Sequence, residues 1–242
     1  MEIPLSGGRM TEGVVRLAGT VRRPKKESSL CVRNALRALR SAGFYRTPEF
    51  LGFDEKNREV LSFIEGYVPA DLGENSEEQF YMAVDMARDL HQTSRAFAPE
   101  GLVLCHDDFS PCNTVFSAPC GQNGSYPKAI IDWDACAFLP AWEEIGYMCW
   151  LWLDLGNQER DAELQINAMG RALEIYGANA AFRADFPGKL IRRMMRVQRS
   201  VEAGGVGDVE GVREWVGESV DWVNRHRMEI VRRIEMQQTR RG

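Results

Sequence analysis

The stretch His106-Asp107-Asp108-Phe109-Ser110-Pro111-Cys112-Asn113 sets two carboxylates, an imidazole and a carboxamide on one polar segment directly after the apolar run Leu102 to Cys105. A second acidic stretch, Asp132-Trp133-Asp134, follows the apolar residues Ala129 to Ile131, and Asp132 lies 19 residues beyond Asn113. Carboxylates and amides are hard oxygen donors of the kind that hold magnesium, and a carboxylate can also take a proton from an attacking hydroxyl. Phosphoryl transfer asks a protein for little more than those two services: a group that positions the nucleophile, and ligands for the metal that bridges the phosphates. Asp108, Asn113 and Asp132 supply that set. Either stretch alone reads as an acidic surface loop; the two in succession, each at the end of a short strand, favour the chemical reading.

The pattern His-x-Asp-x-x-x-x-Asn, followed by an apolar strand and Asp-Trp, resembles the catalytic loop and metal loop of the aminoglycoside phosphotransferase and choline kinase family, whose fold is protein-kinase-like. The resemblance implies that Asp108 is the catalytic base, that His106 braces the catalytic loop, and that Asn113 and Asp132 ligate Mg2+. It also implies ATP or GTP as phosphate donor. Counting two forward from His106 or five back from Asn113 selects Asp108 over Asp107. Asp107 stands where the family usually has glycine and adds a negative charge beside the base.

Other segments match the family in order. Leu5 to Thr11, with Gly7 and Gly8, is similar to the short glycine-containing loop whose amides approach phosphates. Val21-Arg22-Arg23-Pro24 falls where the fold places its phosphate-binding lysine. Alternation along a strand lets only one of the two arginines face the cleft, and Arg22 is the expected one. The strand Glu59 to Ile64 resembles the one leading to the interlobe hinge, where backbone groups of Ser62, Phe63 and Ile64 are expected to hydrogen-bond a purine. Beyond Asp132, Asp134 is either a neighbour of a second metal or a solvated carboxylate, and Glu143 or Glu144 is expected to brace the catalytic loop. The glutamate that pairs with the phosphate-binding cation is missing, because the helix from Ser29 to Ser41 contains no acidic residue and only Glu27 lies nearby. That gap, with Arg for Lys and the additional Asp107, sustains an alternative: a nucleotide-binding pseudokinase or scaffold without turnover.

The resemblance implies an α+β, two-lobed, protein-kinase-like fold, with residues 1–68 as a nucleotide-binding sheet lobe and 69–242 as a helical lobe that carries the catalytic and metal loops, and the elements legible in the sequence are compatible with it. Short strands are expected at Gly13 to Ala18 and Thr20 to Pro24, then a helix whose Val32, Ala35, Leu36 and Leu39 keep helical spacing up to Gly43. Strands at Pro48 to Phe53 and Glu59 to Ile64 enclose the polar turn Asp54 to Asn57. Pro69 and Gly73 mark the lobe boundary, and Ser76 opens a long helix. From Pro140 onward the periodicity is helical, in segments near 141–154, 159–177, 187–203 and 208–236, with Tyr147, Trp150 and Trp152 as core.

Composition sets outer bounds. The 242 residues are 44% hydrophobic and 27% charged, which describes an ordinary globular chain. A net charge of -5 argues against a general nucleic-acid binder. The basic clusters at Arg192 to Arg199 and Arg225 to Arg241 read as solvated helix faces. The longest apolar run, Tyr147 to Leu153, is too short for a membrane span. Six scattered cysteines without a C-x-x-C pair, and no signal peptide, point to the cytoplasm. There is no Gly-x-x-x-x-Gly-Lys-Ser/Thr loop and no Gly-x-Gly-x-x-Gly, so phosphate chemistry, where present, is kinase-like. The expected partners are a nucleotide and a small-molecule hydroxyl acceptor; the acidic Asp134, Glu143, Glu144 and Asp154 would suit a cationic one.

Overall fold

Alternating apolar residues and specific turn chemistry in the first 62 residues produce an antiparallel sheet in the computed structural model, which describes residues 1–5, 13–72, 75–120, 122–204 and 208–236. Its strands are β1 (Ile3–Pro4), β2 (Val15–Leu17), β3 (Thr20–Arg23), β4 (Phe50–Phe53) and β5 (Glu59–Ser62), in the spatial order β1-β2-β3-β5-β4. The β2–β3 hairpin closes through Ala18 and Gly19 at φ 45° and 76°, the pair of positive-φ residues whose twist suits a two-residue loop. At the β4–β5 turn, Asp54 Oδ1 accepts the backbone N–H groups of Lys56 and Arg58, and Asn57 takes φ 61°. Between β3 and β4 runs α1 (Ser29–Ser41), which buries Val32, Ala35, Leu36 and Leu39, the face its spacing predicts.

The chain divides into two compact units, Met1–Asp71 with Asp89–Leu139, and Leu72–Arg88 with Pro140–Gly242; α2 (Glu77–Ser94) contributes to both. The first unit adds to the sheet two small hairpin-like pairs. In one, β6 (Val103–Cys105) lies antiparallel to β9 (Ala137–Leu139); in the other, β7 (Thr114–Phe116) pairs with β8 (Pro127–Ile130). These four strands frame the two acidic loops. The β5 exit is tied to them, since Tyr67 and Phe116 exchange backbone hydrogen bonds of 2.9 and 2.7 Å, and so is the segment before β4, where the Arg46 carbonyl accepts the Ile130 N–H at 3.0 Å. Gly66 is required at that junction: a Cβ there would stand 2.2 Å from the Phe116 carbonyl oxygen.

The second unit is helical. The start of α2 carries a reciprocal cap, the Ser76 N–H donating to Gln79 Oε1 (2.9 Å) and the Gln79 N–H to Ser76 Oγ (3.3 Å). There follow α3 (Ala141–Trp152), α4 (Ala162–Tyr176), α5 (Ala180–Arg183), α6 (Phe186–Gly204), α7 (Val209–Arg225) and α8 (Arg227–Met236). Trp150 stacks on Trp215 with centroids 4.2 Å apart, and its indole N–H donates to the buried Ser219 hydroxyl at 2.9 Å. Tyr147, Trp150 and Trp152 are all buried, as core residues.

Two expectations are corrected here. The single helix over 208–236 is two helices joined at His226, a break that no glycine or proline announces. The basic face of α6 is not fully solvated: Arg193 is buried, lies over the Tyr147 ring at 4.1 Å and, with Arg196, approaches Glu143 at 3.8 and 3.1 Å. Glu143 is thereby a partner of α6 arginines. Among the described residues no helix is long and apolar enough to cross a membrane.

Candidate active site

The loop that leaves β6 turns sharply at Asp107, whose φ of 65° lies in the left-handed region. Side chains pay a steric penalty there, least for glycine and less for Asp or Asn than for others. This accounts for an Asp being tolerated at the turn and for glycine suiting it better still. The preceding His106 has no exposed surface. Its Nε2–H donates to the Ile131 carbonyl at 2.9 Å, and its ring meets Trp133 edge-on with centroids 4.8 Å apart. In the other direction, the Ile131 N–H donates to the Asn113 carbonyl at 2.9 Å. Ile131 is therefore held from both sides by the first acidic loop, and Asp132, the next residue, is carried with it.

Asn113 caps this arrangement. Its amide nitrogen donates to the Asp108 carbonyl (2.9 Å) and to Asp108 Oδ2 (2.8 Å). Both amide hydrogens are spent on Asp108, so the part of the Asn113 side chain left to meet a cation is its oxygen. Asp132 adopts φ 61° and ψ 63°, with its side chain half-exposed at 48%. A carboxamide oxygen and a half-exposed carboxylate on coupled backbones are a suitable hard-oxygen pair for Mg2+, with room for water or phosphate oxygens to complete the shell. Trp133 anchors the turn beneath, buried and donating from Nε1 to the Ile130 carbonyl at 3.0 Å.

The cation beside these loops is Arg23, where Arg22 was expected. Register decides the matter: on β3, Arg23 lies opposite Glu59 and Arg22 opposite Val60, so their side chains leave opposite faces of the sheet. Arg22 turns to Thr20 Oγ1 (2.7 Å) and Asp54 (3.6 Å). Arg23, only 7% exposed, donates from Nε to Glu59 Oε2 at 2.8 Å, and its Nη1 lies 2.9 Å from Asp134 Oδ1 and 3.8 Å from Asp132 Oδ1. Lys26 Nζ reaches the other Asp134 oxygen at 2.5 Å. Burial acts to raise the Asp134 carboxyl, but the Lys26 hydrogen bond and the Arg23 and Lys26 charges outweigh it and hold the group below the ordinary carboxylate range. Asp134 is thus an ion-pair member and not a solvated carboxylate.

Glu59 and Lys26 were not singled out from sequence. The available signal was the strand pairing itself: opposite charges placed directly across an antiparallel pair attract. Of the expected purine contacts, the Ser62 N–H already donates to the Glu49 carbonyl at 2.9 Å and the Phe63 N–H to the Gly19 carbonyl at 3.0 Å. Neither amide remains for a base, and Ile64 is the member of the trio without such a bond among the described residues. Gly7 and Gly8 lie outside the described residues.

Comparison with known proteins agrees with this architecture. The model of the phosphotransferase enzyme family matches residues 34–178, more than half of the chain, and the chain belongs to that family. A curated relative, the trifolitoxin immunity protein of Rhizobium leguminosarum bv. trifolii, is 32% identical, with the match covering 78% of this chain and 79% of that one. Among solved structures, a microcompartment-associated aminopropanol kinase superposes with a TM-score of 0.62 at 12% identity, over 90% of this chain and 89% of that one. The GDP complex of aminoglycoside 2'-phosphotransferase-IIIa gives 0.59 at 12% identity, over 95% and 93%. The fold class is accordingly the expected one, α+β and protein-kinase-like.

Proposed function

We propose that the protein is a small-molecule kinase that moves the terminal phosphate of ATP or GTP to a hydroxyl group. The observation that carries this reading is the double tie of Ile131 to His106 and Asn113, with Asn113 also holding Asp108, so that base and metal ligands form one hydrogen-bonded body. In this reading Asp108 orients the acceptor hydroxyl and receives its proton. Asn113 fixes one oxygen of that carboxylate, and His106, buried and remote from solvent, is a positioning residue. Asn113 and Asp132 would hold Mg2+, which when bound neutralises charge that builds on the phosphate oxygens. Arg23, in the place first given to Arg22, directs the phosphates of the donor, and Ile64 offers the backbone contact to the base.

The acceptor has two candidate classes. The aminopropanol kinase and aminoglycoside phosphotransferase neighbours favour a cationic hydroxyl compound. The relative named for trifolitoxin immunity supports a second, in which phosphorylation of a toxin hydroxyl protects the cell. All six cysteines are free thiols, which fits work in the reducing cytoplasm.

A thermal-shift titration tests the reading. Magnesium with ATP or GTP should raise the melting temperature of the wild type, and Asp132→Ala should abolish the magnesium-dependent part. A labelled-phosphate screen over amino alcohols, aminoglycosides and toxins then identifies the acceptor. Binding without transfer to any acceptor or to water would replace the kinase by a nucleotide-binding scaffold; no shift at millimolar nucleotide would sink both.

A further inference from the structure

Arg23 is a buried guanidinium whose three nitrogens are in unequal circumstances. Nε is hydrogen-bonded by Glu59 at 2.8 Å and Nη1 lies 2.9 Å from Asp134. Nη2 is buried and has no hydrogen-bond partner among the described residues. Leaving a charged donor edge dry and unmatched is costly, and the cost is recovered when an anionic oxygen arrives. That edge belongs to the side chain whose Nη1 stands 3.8 Å from Asp132, one of the two metal ligands of the proposed site.

Glu59 is 1% exposed and lies directly opposite Arg23 in the β3–β5 ladder. With α1 devoid of acidic residues, it is the carboxylate that grips Nε. Strand pairing fixes the distance between the two residues through backbone hydrogen bonds, so the pair does not wait on the docking of a helix.

Resting on the phosphotransferase reading, we infer that Glu59 is a positioning residue for the phosphate-directing Arg23: by holding Nε it presents the Nη2 edge to a donor phosphate oxygen. The work expected of a helix glutamate is done here from a strand. Asp134, pinned by Lys26, steadies the same guanidinium from its other side.

A double-mutant cycle on the full-length protein tests this, with Arg23→Lys, Glu59→Gln and the double variant compared by calorimetric affinity for Mg-ATP and Mg-GTP and by turnover at saturating nucleotide. Lysine keeps the charge and removes the fork. Each single variant should weaken nucleotide binding about tenfold, as expected for loss of one charge-assisted hydrogen bond, and should lower turnover at saturation as well, by a smaller factor. The double variant should match Arg23→Lys within about threefold, since Glu59 then has no fork to orient. Additive losses near a hundredfold, or wild-type affinity in Glu59→Gln with only a lower melting temperature, would overturn the inference and leave Glu59 a structural ion-pair partner. Where Glu59→Gln fails to fold, Glu59→Asp, which keeps the charge but is one methylene shorter, is read by the same criteria. A wild type that binds neither nucleotide overturns the phosphotransferase reading itself, a different result from a wild type that binds and a Glu59 variant that binds equally.

Discussion

The acidic loops and the β3–β5 strand pair bring charge to the same site by different means. In the loops the chemistry is local: Asp108 and Asn113 are five residues apart and in direct contact, and a single residue, Ile131, couples them to Asp132. In the strand pair, Arg23 and Glu59 are separated by 36 residues, and nothing in either short sequence names its partner. A one-residue slip in register would exchange Arg22 for Arg23 and turn every side chain of the strand to the other face. Spacing specifies a loop site; register specifies a strand site.

The loop half is broken most severely at Asp108. Asp108→Asn retains shape and should retain Mg-nucleotide affinity within about threefold, while transfer to the acceptor falls on the order of 100- to 10,000-fold, the worth of a positioned acid-base group. Steady-state transfer beside a nucleotide titration measures both, and equal loss of both would make Asp108 a binding residue instead. The strand half is sharpened by comparing two adjacent substitutions. Arg23→Gln removes the buried fork and should weaken nucleotide binding by about 10- to 150-fold, from roughly 1.5–3 kcal/mol for a charged hydrogen bond. Arg22→Gln, on the opposite face with Thr20 and Asp54, should change it less than about twofold. A reversed order would show that the register of β3 differs in solution.

The same distinction explains what was legible beforehand. The buried face of α1 and the aromatic core at Tyr147, Trp150 and Trp152 follow from local periodicity, and the pairing of the two acidic loops follows from their order along the chain. Glu59, Lys26 and the burial of Arg193 depend on contacts between segments distant in sequence, which residue type alone does not reveal. The strand β9 was missed for a related reason: three residues immediately before Pro140 carry no period, and only pairing with β6 defines them.

The junction between the two regions gives a smaller effect. Gly66 lies just beyond β5, and an added methyl would press on the Phe116 carbonyl oxygen at 2.2 Å and Val115 Cγ1 at 2.5 Å. Gly66→Ala should therefore open the Tyr67–Phe116 bridge and cost about 1–3 kcal/mol, the usual range for overpacking. At this chain length that is a fall of roughly 3–10 °C in melting temperature, measurable by calorimetry. An unchanged melting temperature would mean that β7 yields to the methyl without loss.

The smallest effect tests the loop at its turn. Asp107 pays for its φ of 65°, and glycine pays nothing for the same conformation in the folded state. Asp107→Gly should leave stability unchanged or raise it by up to about 1 kcal/mol, because the steric relief is partly offset by the greater entropy of glycine in the unfolded chain. Asp107→Ala, which has a Cβ and no polar group to compensate, should lose about 1 kcal/mol. The order Gly, Asp, Ala in melting temperature is the signature of backbone strain. If instead both substitutions raise stability equally, the governing factor is the negative charge beside Asp108, and the turn is limited by electrostatics and not by conformation.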